Sequence, residues 1–189
     1  MPDVKSEKIV FDQKLVIGEG LISINGKEHK RLKVKREDAS AVLIFNTENN
    51  TIVLTQQFRY PIHDKVKGPI VEILAGKVDD GENPLETAIR EGEEETGYRI
   101  RPGNIKLILS CFSTPGYSSE KFHIYYATVS NEDKTSKGGG LEAENEHITV
   151  LEMPLDEFVQ NIEHSRFEDS KTCIAGLYFC HSIYQKQED

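Results

Sequence analysis

GKVDDGENPLETAIREGEEETGY, Gly76–Tyr98, is the stretch from which the fold can be read. Asn83 predicts a helix N-cap, since its short polar side chain can accept an orphan backbone N–H, and Pro84 follows at the first turn, where a missing N–H costs nothing. Glu86, three residues after the cap, predicts a reciprocal capping-box bond. Leu85, Ala88, Ile89 and Gly92 recur at helical spacing as one stripe facing a core. Glu91, Glu94 and Glu95 then fall within an arc of roughly 100° away from that stripe, so three carboxylates are expected to converge. Like charges this close call for a cation, and hard oxygen ligands suit Mg²⁺ or Mn²⁺. A Glu run by itself also reads as a solvated acidic helix face.

Outward from this unit, 71–76 reads as a short strand entering it. Residues 41–46 and 51–59 read as a hairpin around the polar turn 47–50, and 105–112 and 121–130 as further strands joined by the loop 113–120. A polar connector, 131–146, carries Gly138–Gly140 and then Glu142, Glu144 and Glu146, ahead of a strand at 148–153. Helical patterns follow at 155–164 and 170–184. Residues 7–37 read as two or three polar-edged strands (7–18, 21–25 and 29–37), with Asn25-Gly26 as a tight-turn signal. So small a sheet needs a surface to pack on, either the main domain or a second subunit. The expectation is an α+β chain: an N-terminal β-sheet segment over 1–38 and a main domain over 39–189.

Composition narrows the function classes. With 189 residues and 37% hydrophobic content, one sizeable core is expected. A net charge of −9 argues against nucleic acid as a partner, and no apolar run approaches the length of a membrane span. Three cysteines without metal-like spacing, and an N-terminus lacking an apolar signal core, point to a reducing cytoplasm.

The central stretch resembles, position by position, the signature of the Nudix hydrolase family: Gly, five residues, Glu, seven residues, Arg-Glu, an apolar residue, any residue, Glu-Glu, any residue, Gly and an apolar residue. Gly76, Glu82, Arg90, Glu91, Glu94, Glu95 and Gly97 fill the glycine and charged places. Gly92 and Tyr98 depart from it, standing where the family usually has aliphatic residues. Gly92 inside a helix costs about 1 kcal/mol against Ala, and it predicts close packing against a strand.

The resemblance implies an α/β/α sandwich with a mixed central sheet and hydrolysis of a nucleoside diphosphate derivative. It also implies metal ligands at Glu91, Glu94, Glu95 and the carbonyl of Ala75, with Glu94 and Glu95 as catalytic residues.

Other elements resemble the nucleoside-diphosphate-sugar branch, whose substrates include ADP-ribose, GDP-mannose and UDP-glucose. Gln57-Phe58-Arg59 implies Arg59 as a pyrophosphate contact, and Arg36-Glu37 resembles the pair beside the nucleotide, though it equally reads as a strand-edge ion pair. Glu72 resembles an acidic residue near the ligand, or else pairs with a basic neighbour. Pro115-Gly116, with Ser118 and Glu120, resembles the branch's substrate loop, in which the turn would present backbone N–H groups and Ser118 to a phosphate or sugar. The Gly-rich connector resembles its catalytic loop, with Glu144 as general base and Glu146 as a further metal or water contact. An N-terminal sheet exchanged across a homodimer is also implied. The alternatives are a sensor that binds a nucleotide sugar without cleaving it, or a Nudix hydrolase of another nucleoside diphosphate derivative.

Overall fold

A computed structural model describes residues 1–140 and 148–184. Strands β1 (Asp3–Asp12), β2 (Val16–Ile24) and β3 (Lys27–Lys35) form an antiparallel sheet in that order. The predicted strand 7–18 is in fact two strands. The chain reverses at Gln13-Lys14-Leu15, so Asp12 pairs with Val16, while 21–25 continues β2. Asn25 (φ 51°) and Gly26 (φ 77°) are both left-handed, the backbone a two-residue hairpin turn requires.

The main sheet contains β4 (Ala39–Asn46), β5 (Thr51–Gln57), β6 (Ile70–Glu72) and β7 (Leu74–Lys77), followed by the helix α1 (Pro84–Thr96). After it come β8 (Ile105–Phe112), β9 (Lys121–Val129) and β10 (Thr149–Pro154), then helices α2 (Leu155–Glu163) and α3 (Ser170–Phe179), the last continued by a π turn, Cys180–Tyr184. The strand order is β10-β5-β4-β9-β8, with β6 on β5 and β7 on β4. Only β4–β9 is parallel among these pairs, so the sheet is mixed.

Alternation along β4 divides the core. Ala41, Leu43 and Phe45 meet Phe158 and Ile162 of α2 and Ala175 and Phe179 of α3, whereas Val42 and Ile44 meet Ala88 of α1 together with Tyr98 and Ile100. Helices therefore cover both faces, giving the α/β/α sandwich. Among the described residues no helix is long and apolar enough to cross a membrane.

Two details of the central unit differ from expectation. The strand predicted at 71–76 breaks at Ile73, where the chain changes partner from β5 to β4. The amide freed there is taken by the buried Thr172 hydroxyl of α3 at 2.8 Å. Gly92 packs against the Ile100 side chain, which a Cβ at that position would overlap, and not against a strand.

Candidate active site

Helix α1 begins as anticipated at Asn83, although its side chain accepts the N–H of Leu85 (2.9 Å) and not that of Glu86, so the capping box is not formed. Ser40, buried on β4, donates its hydroxyl to the Pro84 carbonyl at 2.6 Å and fixes the helix start to the sheet. Gly97 ends the helix in the left-handed conformation.

The charged face of α1 is organised by Arg90. Its Nε and Nη2 meet Oε1 and Oε2 of Glu82, each at 3.1 Å, and its Nη1 reaches Glu91 at 2.8 Å and Glu94 at 3.1 Å. The guanidinium contact draws the Glu82 carboxyl down to about 2, and Glu82 in turn raises the Arg90 pKa. Glu95 is 6% exposed. Glu91 and Glu94 both accept from Arg90 Nη1, so one guanidinium nitrogen lies between two of the three acids. No three His, Cys, Asp or Glu side chains among the described residues are grouped to hold a metal.

The donor chemistry nevertheless fits a hard divalent cation. Glu91 lies directly over Gly76, where any Cβ would overlap its carboxyl group. The glycine thus lets a carboxylate, a hard oxygen donor, lie against the Ala75-Gly76 backbone.

Two cavities lead to this point. The larger, about 590 Å³, is of ligand size and is bounded by Leu15 and Val34 of the small sheet, Arg59 and Glu72 of the large one, the 113–120 loop and the start of α3. The smaller, about 210 Å³, borders Glu37, Ala75 and Gly76 and shares Arg36, Arg59, Glu120 and Lys171 with the first. A continuous path therefore runs from the large cavity, past three cations, to the strand beneath Glu91.

At the join, Glu72 is 2% exposed and accepts from Arg59 Nε and Nη2, both at 2.7 Å, with Lys171 Nζ 3.7 Å from its other oxygen. Burial pushes the Glu72 carboxyl up, opposed by these cations. Arg59 keeps 42% of its side chain exposed, so it can still serve a ligand. Arg36 bonds Glu120 at 3.0 Å and not Glu37, which instead approaches Lys77 at 3.7 Å.

In the second half of the 113–120 loop four successive amides are bonded within the protein. The N–H groups of Tyr117 and Ser118 go to Thr114, that of Ser119 to Val34 and that of Glu120 to the Ser118 hydroxyl. Pro115 and Gly116 do not line either cavity, whereas Ser118 and Glu120 line the larger. The loop's structural task is to seat the small sheet: Val34 N–H donates to the Tyr117 carbonyl at 2.7 Å, and the Arg36 N–H to Ser119 Oγ at 2.9 Å.

Lys171 and Asp169 were not singled out from sequence. A lysine in the first turn of a helix opposes the macrodipole and so needs compensating acids, here Asp169 and Glu72, which is the signal that could have drawn attention to it. Glu144 and Glu146 lie outside the described residues. The connector preceding them is anchored to α1, with Gly139 N–H donating to the Glu95 carbonyl at 2.7 Å and Lys134 Nζ to that of Thr96 at 3.0 Å.

The NUDIX domain family model matches residues 35–172. A methanol dehydrogenase activator of Bacillus methanolicus is 40% identical over 154 residues, 82% of this chain and 78% of that protein. The GDP-mannose pyrophosphatase of Escherichia coli (strain K12) is 33% identical over 152 residues, covering 79% of this chain and 77% of that one. A solved structure described as the crystal structure of an ADP compounds hydrolase superposes with a TM-score of 0.78 at 17% identity, over 100% of this chain and 97% of its own.

Proposed function

The chain belongs to the Nudix family, and from that premise we propose that it is a metal-dependent pyrophosphatase cleaving a nucleoside diphosphate sugar, GDP-mannose or ADP-ribose, to a nucleoside monophosphate and a sugar phosphate. The observation that carries this reading is the path of Arg36, Arg59 and Lys171 from a ligand-sized cavity to the Gly76–Glu91 contact. Cations spaced along such a path suit a diphosphate, and acids at its end suit a hard metal.

In this account Glu91, Glu94, Glu95 and the Ala75 carbonyl hold the cation. Mg²⁺ or Mn²⁺ there would neutralise the diphosphate and polarise one phosphorus for attack by water. Arg59 orients the diphosphate through the edge of its guanidinium that is not turned to Glu72, and Lys171 adds a second positive charge. Glu72 holds both side chains at the cavity join. Glu82, by engaging Arg90, sets the slope of the acidic helix relative to the loop before it. Glu144 is the proposed general base and Glu146 a further metal or water contact. Of the 113–120 loop, Ser118 and Glu120 face the substrate.

We also assign residues 1–38 to a sheet segment that forms a homodimer and 39–189 to the hydrolase domain. The exposed Val4, Ile9, Val10, Phe11 and Leu32 of the small sheet support association there. Unpaired Cys111, Cys173 and Cys180 are in keeping with a cytoplasmic enzyme.

The test is product chromatography after incubation with GDP-mannose, ADP-ribose and UDP-glucose plus Mg²⁺. Release of a nucleoside monophosphate from one of them supports the reading, and turnover of none in the presence of Mg²⁺ or Mn²⁺ refutes it. A second reading, favoured by the relative at 40% identity, is that the chain activates a partner dehydrogenase. Stimulation of a purified methanol dehydrogenase by the wild-type chain would support it, and an unchanged dehydrogenase rate would discard it.

A further inference from the structure

We infer that Lys134 is a positioning residue for the cation site: by gripping the last turn of α1 it holds Glu95 in place as a ligand. The inference rests on the metal-dependent reading above and adds to it a residue, 38 positions beyond Thr96, on which affinity for the cation depends.

Both ends of α1 have to be fixed for its acids to serve one cation. Toward the start, Arg90 grips Glu82, Glu91 and Glu94. Glu95 is the penultimate helical residue, in the turn whose carbonyls lack partners within the helix and which frays first. In this chain that turn is closed from outside. Gly139 N–H takes the Glu95 carbonyl at 2.7 Å, Lys134 Nζ that of Thr96 at 3.0 Å and Thr135 N–H that of Gly97 at 2.7 Å. The fit is close, since a Cβ at Gly138 would overlap the Glu95 carbonyl and one at Gly97 the Ser136 carbonyl. Of these three donors Lys134 is the side-chain one, and it brings a positive charge to a helix C-terminus, where the dipole favours it.

Lys134 is itself held. Its N–H donates to the Asn131 carbonyl at 3.2 Å, and its backbone pairs with Tyr98 in an isolated bridge. The ammonium lies 4.2 Å from the centre of the Tyr98 ring and 4.0 Å from Glu152. That ring is fixed through its hydroxyl, which donates to Glu152 at 2.6 Å and accepts from Asn46 at 3.2 Å. Tyr98 is one of the two places where the chain departs from the aliphatic pattern of the signature, and an aliphatic side chain would offer a cation no such face. The departure and the lysine grip therefore belong together. A lysine set this firmly fixes the Thr96 carbonyl, and with it the turn from which Glu95 projects its carboxylate.

Electrostatics makes the sign of the test decisive. Removing a positive charge near a cation site strengthens cation binding, whereas loosening a ligand weakens it. Lys134→Met keeps an apolar stem over Tyr98 and removes both charge and donor. Mn²⁺ binding to the full-length chain, freed of metal by chelator, is read from the electron paramagnetic resonance of the free ion. Affinity is expected to fall about tenfold in Lys134→Met and to stay close to wild type in Lys134→Arg. In a Glu95→Gln background, Lys134→Met is expected to cause little further loss, because its effect runs through Glu95. Affinity that is unchanged or tighter in Lys134→Met, folded as judged by circular dichroism, overturns the proposal. So does a loss that persists in full when Glu95 is already Gln, which a merely structural role predicts. If Lys134→Met does not fold, Gly138→Ala decides: it crowds the Glu95 carbonyl without altering any charge, and affinity equal to wild type there overturns the proposal. A wild-type chain that binds no Mn²⁺ would remove the metal reading and this inference with it, whereas equal binding by wild type and variant removes this inference alone.

Discussion

Arg90 holds Glu82 through two parallel contacts, Nε to Oε1 and Nη2 to Oε2, each at 3.1 Å, and so couples the loop before α1 to the helix that bears the acids. Such a two-point grip fixes direction as well as distance. It also makes Glu82 a pH-sensitive part of the fold.

The Glu82 carboxyl is depressed to about 2 in the folded chain. A depressed acid contributes stability that is fully present above its unfolded value, about 4.3, and lost as pH falls through the folded one. Between pH 5 and pH 2, wild type is expected to lose melting temperature more steeply than Glu82→Gln, measured by circular dichroism in chelator. Parallel acid limbs for the two proteins would contradict this.

Gly76→Ala is expected to displace the Glu91 carboxylate that lies over this glycine. Loss of that ligand position should raise the Mg²⁺ concentration for half-maximal rate by about 10- to 100-fold, read from metal titrations of initial rate. Unchanged metal dependence would show that Glu91 does not need this cradle.

Thr172→Val removes the hydroxyl that receives the Ile73 amide where β6 gives way to β7. The same hydroxyl donates to Asp169 at 2.8 Å, so the variant leaves a buried N–H without its partner. Urea denaturation should register a loss of about 1–3 kcal/mol, and hydrogen exchange at Ile73 should quicken. A variant as stable as wild type would show that the break is held by other contacts.

Much of this was legible in the amino-acid order because α1 concentrates it. Cap, apolar stripe, acids and terminal glycine lie within 23 consecutive residues, where helical geometry alone relates them. The β8 strand was likewise read to its ends, since 105–112 is bounded by turn residues. What escaped depends on contacts between distant segments. Arg36 meets Glu120 across 84 residues of chain, and Thr172 meets Ile73 across 99, and no local period reports either pairing. The 113–120 loop was located correctly, but the partners of the Tyr117, Ser118, Ser119 and Glu120 amides were not foreseen. Their consumption by Thr114, Val34 and Ser118 follows from the docking of the small sheet, which only the tertiary arrangement reveals. The break at Asp12–Val16 was missed because Gln13-Lys14-Leu15 lacks the glycine or proline that usually marks a reversal.

The central claim is that the acids of α1 hold the cation that drives diphosphate cleavage. It is tested most directly by the rate of nucleoside monophosphate release from GDP-mannose and ADP-ribose, for wild type and Glu95→Gln, before chelation, after it, and after Mg²⁺ is restored. The account predicts that chelator abolishes wild-type release, that Mg²⁺ restores it, and that Glu95→Gln, folded as judged by circular dichroism, is slower by at least about 100-fold. Release that survives chelation, or that Glu95→Gln leaves intact, would contradict it.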